Sequence, residues 1–315
     1  RVRGKMEKTM ILLVAVTGRD CSQLIARLQA LLPEIDVQFW SECTDYEAVE
    51  FVLAWNAPAD LWPKLVNLKA VSSFGAGVDS IDLTKIAAHI PVVRIVDDNL
   101  ANDMAEYVLG HVLAHKLRLK EYYLKQSAGT WKPKRAYSHQ HVGILGYGEL
   151  GKASAKRLLA NGFQVSAWSN SEKHDVEVST YYSQQGLDDM LGQIDYLVCL
   201  LPLNQHTQGI INKSLLGKLQ SHAVLINVAR GKHVVDEDLL EALNSEQLRG
   251  ATLDVFSEEP LPQAHPYWSH QKVTLTPHCA AISDLESVSL QIAGNAKRLT
   301  EGKELINQVD RTKGY

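Results

Sequence analysis

The sequence predicts an α/β fold in two units, the second with the rhythm of a doubly wound sheet. Three observations point there. Short, β-branched, nearly continuous apolar runs recur, as in strands buried on both faces of a parallel sheet; helical stretches alternate with them; and one run leads through a glycine-rich turn into a helix. With 315 residues, 45% hydrophobic and 22% charged, the chain is long enough for two such units.

The first unit opens with a strand at Met10 to Val16 and a helix at Ser22 to Leu32. Apolar runs follow at Val37 to Trp40, Ala48 to Ala54 and Leu68 to Phe74. Then come a helix at Ile81 to Ala88, a strand at Val92 to Val96 and a long helix from Met104 to about Lys125. Ser127 to Gln140, holding Gly129, Trp131, Pro133 and several basic residues, breaks the pattern and reads as an excursion or linker. A second unit begins at His141, with strand 142–146, helix 150–160 and strand 164–168. A polar irregular stretch runs to Gln185, followed by helix 187–191 and strand 196–200. Strand 223–228, helix 236–245, strands 251–255 and 273–276 and a helix near 286–301 complete the order. Arg1 to Lys5, ahead of Met6, reads as a cloning remnant outside the fold.

A net charge of −4 without a Lys/Arg block argues against nucleic acid or an anionic membrane as the main partner. Met10 to Val16 is too short for a membrane span, and no secretory cleavage pattern follows it. Cys21, Cys43, Cys199 and Cys279 are scattered without a C-x-x-C pair, so they read as reduced thiols of a cytoplasmic protein, and no metal site is expected. Small molecules are the expected partners.

Gly146-Tyr147-Gly148-Glu149-Leu150-Gly151 follows the strand at His141 and precedes a helix. Gly146 permits the tight turn, Gly148 lets backbone approach a pyrophosphate, and Gly151 lets the helix pack against the strand. Dinucleotide binding is the expectation; a turn chosen for packing alone, or an S-adenosyl ligand, are the alternatives. The acidic residue that would bind a ribose 2′-hydroxyl is missing about 20 residues on. Trp168-Ser169-Asn170-Ser171 stands there instead. Small polar groups at Ser169, Asn170 and Ser171, with Lys173 nearby, favour NADP(H), with NAD(H) as the alternative; Glu172 weighs against the preference, and a solvated loop at 169–173 is the competing view.

Three polar residues stand just past successive strand-like runs: Arg230, Glu259 and His278. Ligands in such sheets sit beyond the carboxyl ends of the strands, so the three can meet in one crevice. The planar fork of Arg230 can hold a substrate carboxylate and polarise an adjacent carbonyl. His278 can donate a proton to a forming alkoxide, and Glu259 can accept from its other ring nitrogen, fixing the tautomer. Singly, each also reads as a surface or loop residue; joint placement favours hydride-transfer chemistry.

At this point the chain resembles the D-2-hydroxyacid dehydrogenases, and within them the glyoxylate/hydroxypyruvate reductase A group. The likeness spans nearly the whole chain: Phe74-Gly75-Ala76-Gly77-Val78-Asp79, the glycine turn, Leu201-Pro202 with Thr207 and Gly209, the Arg230 segment, Leu253-Asp254-Val255-Phe256, Glu259-Pro260, Thr276-Pro277-His278 and Gln308-Val309-Asp310-Arg311. It implies that Arg230, Glu259 and His278 are catalytic. It further implies cofactor contacts from Leu201, Pro202, Thr207, Val228, Ala229 and Ala280, with Asp254 near the nicotinamide carboxamide. Backbone at Ala76 and Gly77 would receive the substrate carboxylate; independently, a Gly-Ala-Gly turn after a strand can present N–H groups to an anion. Trp55 resembles a tryptophan lining the small substrate pocket, although an aromatic there is more often core. Family architecture implies two Rossmann-like doubly wound domains, with a nucleotide-binding domain at 104–287 inserted into a flavodoxin-like substrate domain at 6–103 plus 288–315. It implies a homodimer whose arm, around Glu121 to Tyr137, reaches the partner; a solvent-exposed loop is the alternative. Two departures stand out: Asn170 where NADP-preferring members often carry Arg, and Cys279, taken as a small hydrophobe, after the catalytic histidine.

The sequence thus predicts a cytoplasmic oxidoreductase that reduces glyoxylate to glycolate and hydroxypyruvate to D-glycerate with NADPH. Two alternatives remain: a dehydrogenase of a larger D-2-hydroxy acid, against which Trp55 and Trp268 speak as bulky pocket walls, and a non-catalytic NAD(P)H-sensing binding protein on the same scaffold.

Overall fold

The computed structural model describes residues 10–312. Arg1 to Lys5, and the few further residues at each end that the sequence reading gave to the substrate domain, lie outside the described residues. The chain divides into two compact units: the described residues up to Asp98 with those from Ser283 onward, and Asn99–Ile282.

In chain order the regular elements are β1 (Ile11–Val16), α1 (Ser22–Leu31), β2 (Asp36–Phe39), β3 (Val49–Trp55), β4 (Ala70–Ser73), β5 (Val92–Val93), α2 (Asp98–Lys116), α3 (Leu119–Ser127), β6 (His141–Leu145) and α4 (Glu149–Ala160). They continue as β7 (Gln164–Trp168), β8 (Ser179–Tyr181), α5 (Ser183–Leu191), β9 (Tyr196–Cys199), α6 (Lys213–Leu216), β10 (Val224–Asn227), α7 (Asp236–Asn244), β11 (Gly250–Leu253), β12 (Val273–Leu275) and α8 (Leu285–Thr300).

The first unit is a parallel sheet in the order β2-β1-β3-β4-β5. Every residue of β1 is buried, which is why its sequence is apolar without alternation. Leu24 and Leu28 of α1 and Val288, Ile292 and Ala296 of α8 join alternate strand residues in one core; Ile11, Leu13, Ala15, Val52 and Ala54 face another. Two expectations fail here. The helix expected at 81–88 is only a 3₁₀ turn, Leu83–Lys85, because Asp82 turns its carboxylate onto the Thr84 N–H at 3.0 Å and local side-chain bonding displaces the helical pattern. The strand expected to Val96 stops at Val93, where an isolated antiparallel bridge to Gln308 and the bond from Arg94 N to Asn307 O bring the chain's tail alongside.

The second unit is a parallel sheet of seven strands, β12-β11-β10-β9-β6-β7-β8. Strand order reverses between β6 and β9, the switch point at which dinucleotides bind in doubly wound sheets. Alternate strand residues divide the core. Val142, Ile144, Val198 and Ile226 pack with Met104, Val108 and Val112 of α2 and Leu158 of α4, while Leu197, Leu225 and Leu253 pack with Met190 of α5 and Leu239 and Leu243 of α7. The helix expected from 104 to 125 is two helices, broken where Arg118 adopts φ 63 and sends its guanidinium to Glu121 and the Tyr137 hydroxyl, at 2.8 and 2.7 Å. The stretch expected to be irregular up to Gln185 contains β8 and the start of α5; β8 is too short for apolar periodicity to mark it. No helix among the described residues is long and apolar enough to cross a membrane. The four cysteines are all free, three buried and Cys279 exposed.

Candidate active site

Arg230, Glu259 and His278 follow β10, β11 and β12, three adjacent parallel strands. His278 Nδ1 lies 2.7 Å from Glu259 Oε2, and the other carboxylate oxygen accepts the Phe256 N–H at 2.9 Å. Both side chains are about one-third exposed, 35% and 33%. Burial raises the Glu259 pKa, but the hydrogen bonds from His278 and Phe256 and the charges of His278 and Arg230 outweigh it and hold the carboxyl below its ordinary value. That balance also places the Arg230 charge within electrostatic reach of Glu259. The three residues therefore stand in loops past the carboxyl ends of adjacent strands, with His278 and Glu259 in direct contact.

Backbone geometry fixes each of them. His278 has φ 50, a left-handed conformation unfavourable for a side chain other than glycine or asparagine, and its N–H donates to Asp254 O at 2.8 Å. The Asp254 carboxylate, 1% exposed, accepts from the Thr276 hydroxyl at 2.6 Å and from the N–H groups of Cys279 and Ala280 at 2.8 and 3.0 Å. It thus clamps the turn carrying His278, and the Tyr107 hydroxyl extends the chain to Thr276. Asn227, fully buried, does the same for Arg230: its amide donates to Arg230 O at 2.9 Å and accepts from Ala229 N at 3.2 Å. The Arg230 guanidinium donates to Ala229 O at 2.7 Å. A Cβ on Gly231 would stand 1.8 Å from the Phe256 carbonyl carbon, so only glycine lets the Arg230 loop and the Glu259 loop touch. Asn227, Gly231 and Thr276 stood in motifs flanking the site but received no role from the sequence, and Tyr107 was not singled out.

The glycine turn lies after β6, beside the switch point. A Cβ on Gly146, which has φ 101, would meet Leu200 O at 2.7 Å, and one on Gly151 would meet Gly146 O at 2.1 Å. Protein closes both positions. A Cβ on Gly148 would meet nothing within 4 Å, and α4 starts there without a side-chain cap, so backbone N–H groups remain open to an anion. This cradle fits a dinucleotide pyrophosphate. Tyr147 is buried with its hydroxyl on Asp175 at 2.7 Å; Glu149 and Leu150 open α4. Past β7, Ser169 donates to Ser171 O at 2.8 Å, while Asn170, Ser171 and Lys173 are exposed. Leu201 and Thr207 are buried after β9, with Thr207 bonded to Pro202 O at 2.6 Å; Val228, Ala229 and Ala280 are buried.

In the first unit, Trp55 ends β3 and sits edge-on to Phe74, ring centroids 6.4 Å apart. Gly75 approaches the Trp55 ring so closely that a Cβ would lie 3.0 Å from it, and Ser73 bonds Gly77 O at 2.6 Å, shaping the turn around Ala76. Arg19 lies 5.6 Å from both aromatic ring centres, a cation that the sequence reading did not single out. Trp268, expected as a pocket wall, stands on a short turn, 57% exposed, with its indole bonded to Pro262 O.

Residues 109–280 match the family model described as "D-isomer specific 2-hydroxyacid dehydrogenase, NAD binding domain". The chain is 38% identical over 304 residues to a glyoxylate/hydroxypyruvate reductase A from Yersinia enterocolitica, covering 94% of this chain and 97% of that protein. A protein of the same name from Serratia proteamaculans is 39% identical over 304 residues, with the same coverage. Among solved structures, a D-isomer specific 2-hydroxyacid dehydrogenase from Xanthobacter autotrophicus in complex with NADPH and MES superposes with TM-score 0.89 at 34% identity, covering 98% of this chain and all of that one. An NADPH-dependent glyoxylate/hydroxypyruvate reductase from Sinorhizobium meliloti, in complex with NADP and sulfate, gives TM-score 0.89 at 34% identity, covering 97% of this chain and all of that one.

Proposed function

The chain belongs to the D-isomer specific 2-hydroxyacid dehydrogenase family, and from that premise we propose that it reduces small 2-keto acids, glyoxylate to glycolate and hydroxypyruvate to D-glycerate, with NADPH. The observation that carries the reading is the 2.7 Å pair of His278 and Glu259 within the electrostatic reach of Arg230. The cofactor, when bound, supplies the hydride.

The residues supply the rest. A carboxylate only accepts, so the ring proton on Nδ1 of His278 faces Glu259, and Nε2 is the atom left to carry the transferable proton. With Glu259 ionised beside it, the ring can hold that second proton as an imidazolium and release it to the carbonyl oxygen of the substrate; in the oxidation direction the neutral ring takes it back. Arg230 anchors the substrate carboxylate and polarises its neighbouring carbonyl. Asp254 keeps the His278 turn in its left-handed conformation.

Gly146, Gly148 and Gly151 with the start of α4 would hold the pyrophosphate, and Ser169, Asn170, Ser171 and Lys173 the 2′-phosphate. In the first unit, the turn at Ala76 and Gly77 and the ring of Trp55 are assigned to the substrate. That unit is the substrate domain; the second is the nucleotide domain. Cytoplasmic placement and a homodimer joined through the arm at 121–137 complete the reading. Oxidation of NADPH and NADH, followed in parallel with glyoxylate, hydroxypyruvate, pyruvate and phenylpyruvate, tests it: fast turnover of the first two with NADPH is expected. Faster turnover of phenylpyruvate, a clear NADH preference, or tight NADPH binding without turnover would each overturn it.

A further inference from the structure

The carboxyl ends of the second unit's strands carry the candidate active site; their amino ends carry a second cluster of chemistry. His139 precedes β6, Asp195 precedes β9 and His222 precedes β10, and these three strands lie side by side. Each contributes one ligand-type atom, and all three atoms lie within 4.8 Å of one another. The sheet separates this cluster from Arg230 by the four residues of β10, roughly 13 Å of strand.

We propose that His139, Asp195 and His222 form a site for a divalent transition-metal cation of the zinc class. Two imidazole nitrogens and one carboxylate oxygen are a ligand set that suits zinc, cobalt or nickel, with water completing the shell. Two observations beyond the residue types support the site. The carboxylate is already fixed: Asp195 Oδ2 accepts the N–H groups of Gln140 and His141 at 2.8 and 2.9 Å, which aims Oδ1 at His222 Nε2, 2.6 Å away; a cation taking both atoms displaces the proton held between them to Nδ1 of His222 or to solvent. The His139 Nδ1 atom is buried with no hydrogen-bond partner among the described residues, an uncompensated polar atom in a wall of the cluster.

The two rings stack, centroids 4.0 Å apart and 18° from parallel, and one ligand-type atom of each lies within 4.8 Å of the other and of an Asp195 oxygen. Lys116 is occupied by the Tyr137 and His139 carbonyls and Arg249 by the His222 and His115 carbonyls. Their charges oppose a dication, so binding is weaker than at a closed four-ligand site. No spacing in the sequence announces the cluster, because it gathers three separate loops.

The test uses tag-free, chelator-stripped full-length protein, titrated calorimetrically with ZnCl₂, CoCl₂ and NiCl₂, with ¹⁵N-histidine spectra recorded alongside. Saturable uptake of one equivalent is expected, with two imidazoles shifting together and uptake lost in His139→Ala and in His222→Ala. No uptake of any of the three cations, a shift at His278 instead, or unchanged uptake in both variants would overturn the proposal. The spectra read the intact chain, so the result stands even where a variant fails to fold.

Discussion

His278 Nδ1 and Glu259 Oε2 stand 2.7 Å apart, and the second oxygen of that carboxylate is held by the Phe256 N–H. Although burial raises the Glu259 pKa, its bonds to His278 and Phe256 bring the net shift below the ordinary value. A carboxyl depressed in the folded state contributes stability that is present above its unfolded value, about 4.3, and lost as pH falls through the lower folded value. Glu259→Gln should therefore unfold at a lower temperature than the parent at pH 7, and the gap should close below about pH 4. Melting curves from pH 3 to 8 check this; a gap that widens in acid would contradict the assigned pairing.

If His278 delivers the proton, His278→Ala should lower kcat with glyoxylate by about 10²- to 10⁴-fold while the fold persists. Arg230→Lys should act differently, raising KM as well, because an ammonium cannot reproduce the two-point grip of a guanidinium. Steady-state NADPH oxidation with circular dichroism as the folding control reads both. A fully active His278→Ala would remove the proposed acid.

Strands β6, β9 and β10 were legible because burial on both faces writes itself as unbroken apolar runs. The ends of β10, β11 and β12 were legible too, since Arg230, Glu259 and His278 are polar residues past such runs. What stayed hidden depends on contacts between distant segments. Gly231 matters because of Phe256, Asn227 because of the Arg230 carbonyl, and the break at Arg118 because of Glu121 and Tyr137. Local pattern carries none of these, just as it carried no sign that Asp82 would replace a helix with a single turn.

His115 supplies a second pH effect. Its Nε2 pairs with the Thr252 hydroxyl at 2.8 Å, and burial, followed by the charges of Arg249, His111 and Lys120, pushes its pKa down to about 3. Between about 6.5 and that value the unfolded chain binds a proton that the folded chain refuses. Stability should fall as pH drops through this window, with a slope of up to about 1.4 kcal/mol per pH unit from this residue. His115→Gln should flatten the acid limb in urea titrations at pH 4, 5, 6 and 7. Equal slopes in the two proteins would rule the histidine out as the source.

Gly231→Ala joins stability and catalysis in one experiment. The new methyl would be placed 1.8 Å from the Phe256 carbonyl carbon, a backbone atom that no rotamer change can move aside. One loop must therefore yield: either Arg230 shifts, or Phe256 does and takes with it the N–H that fixes Glu259. Overpacking of this kind costs roughly 1–3 kcal/mol or more. Because the displaced groups lie in the site, kcat/KM should fall well beyond what the unfolded fraction at assay temperature explains. Urea titration and kinetics on the same preparation separate the two effects. A variant as stable as the parent, or destabilised yet fully active per folded molecule, would show that the two loops do not depend on each other.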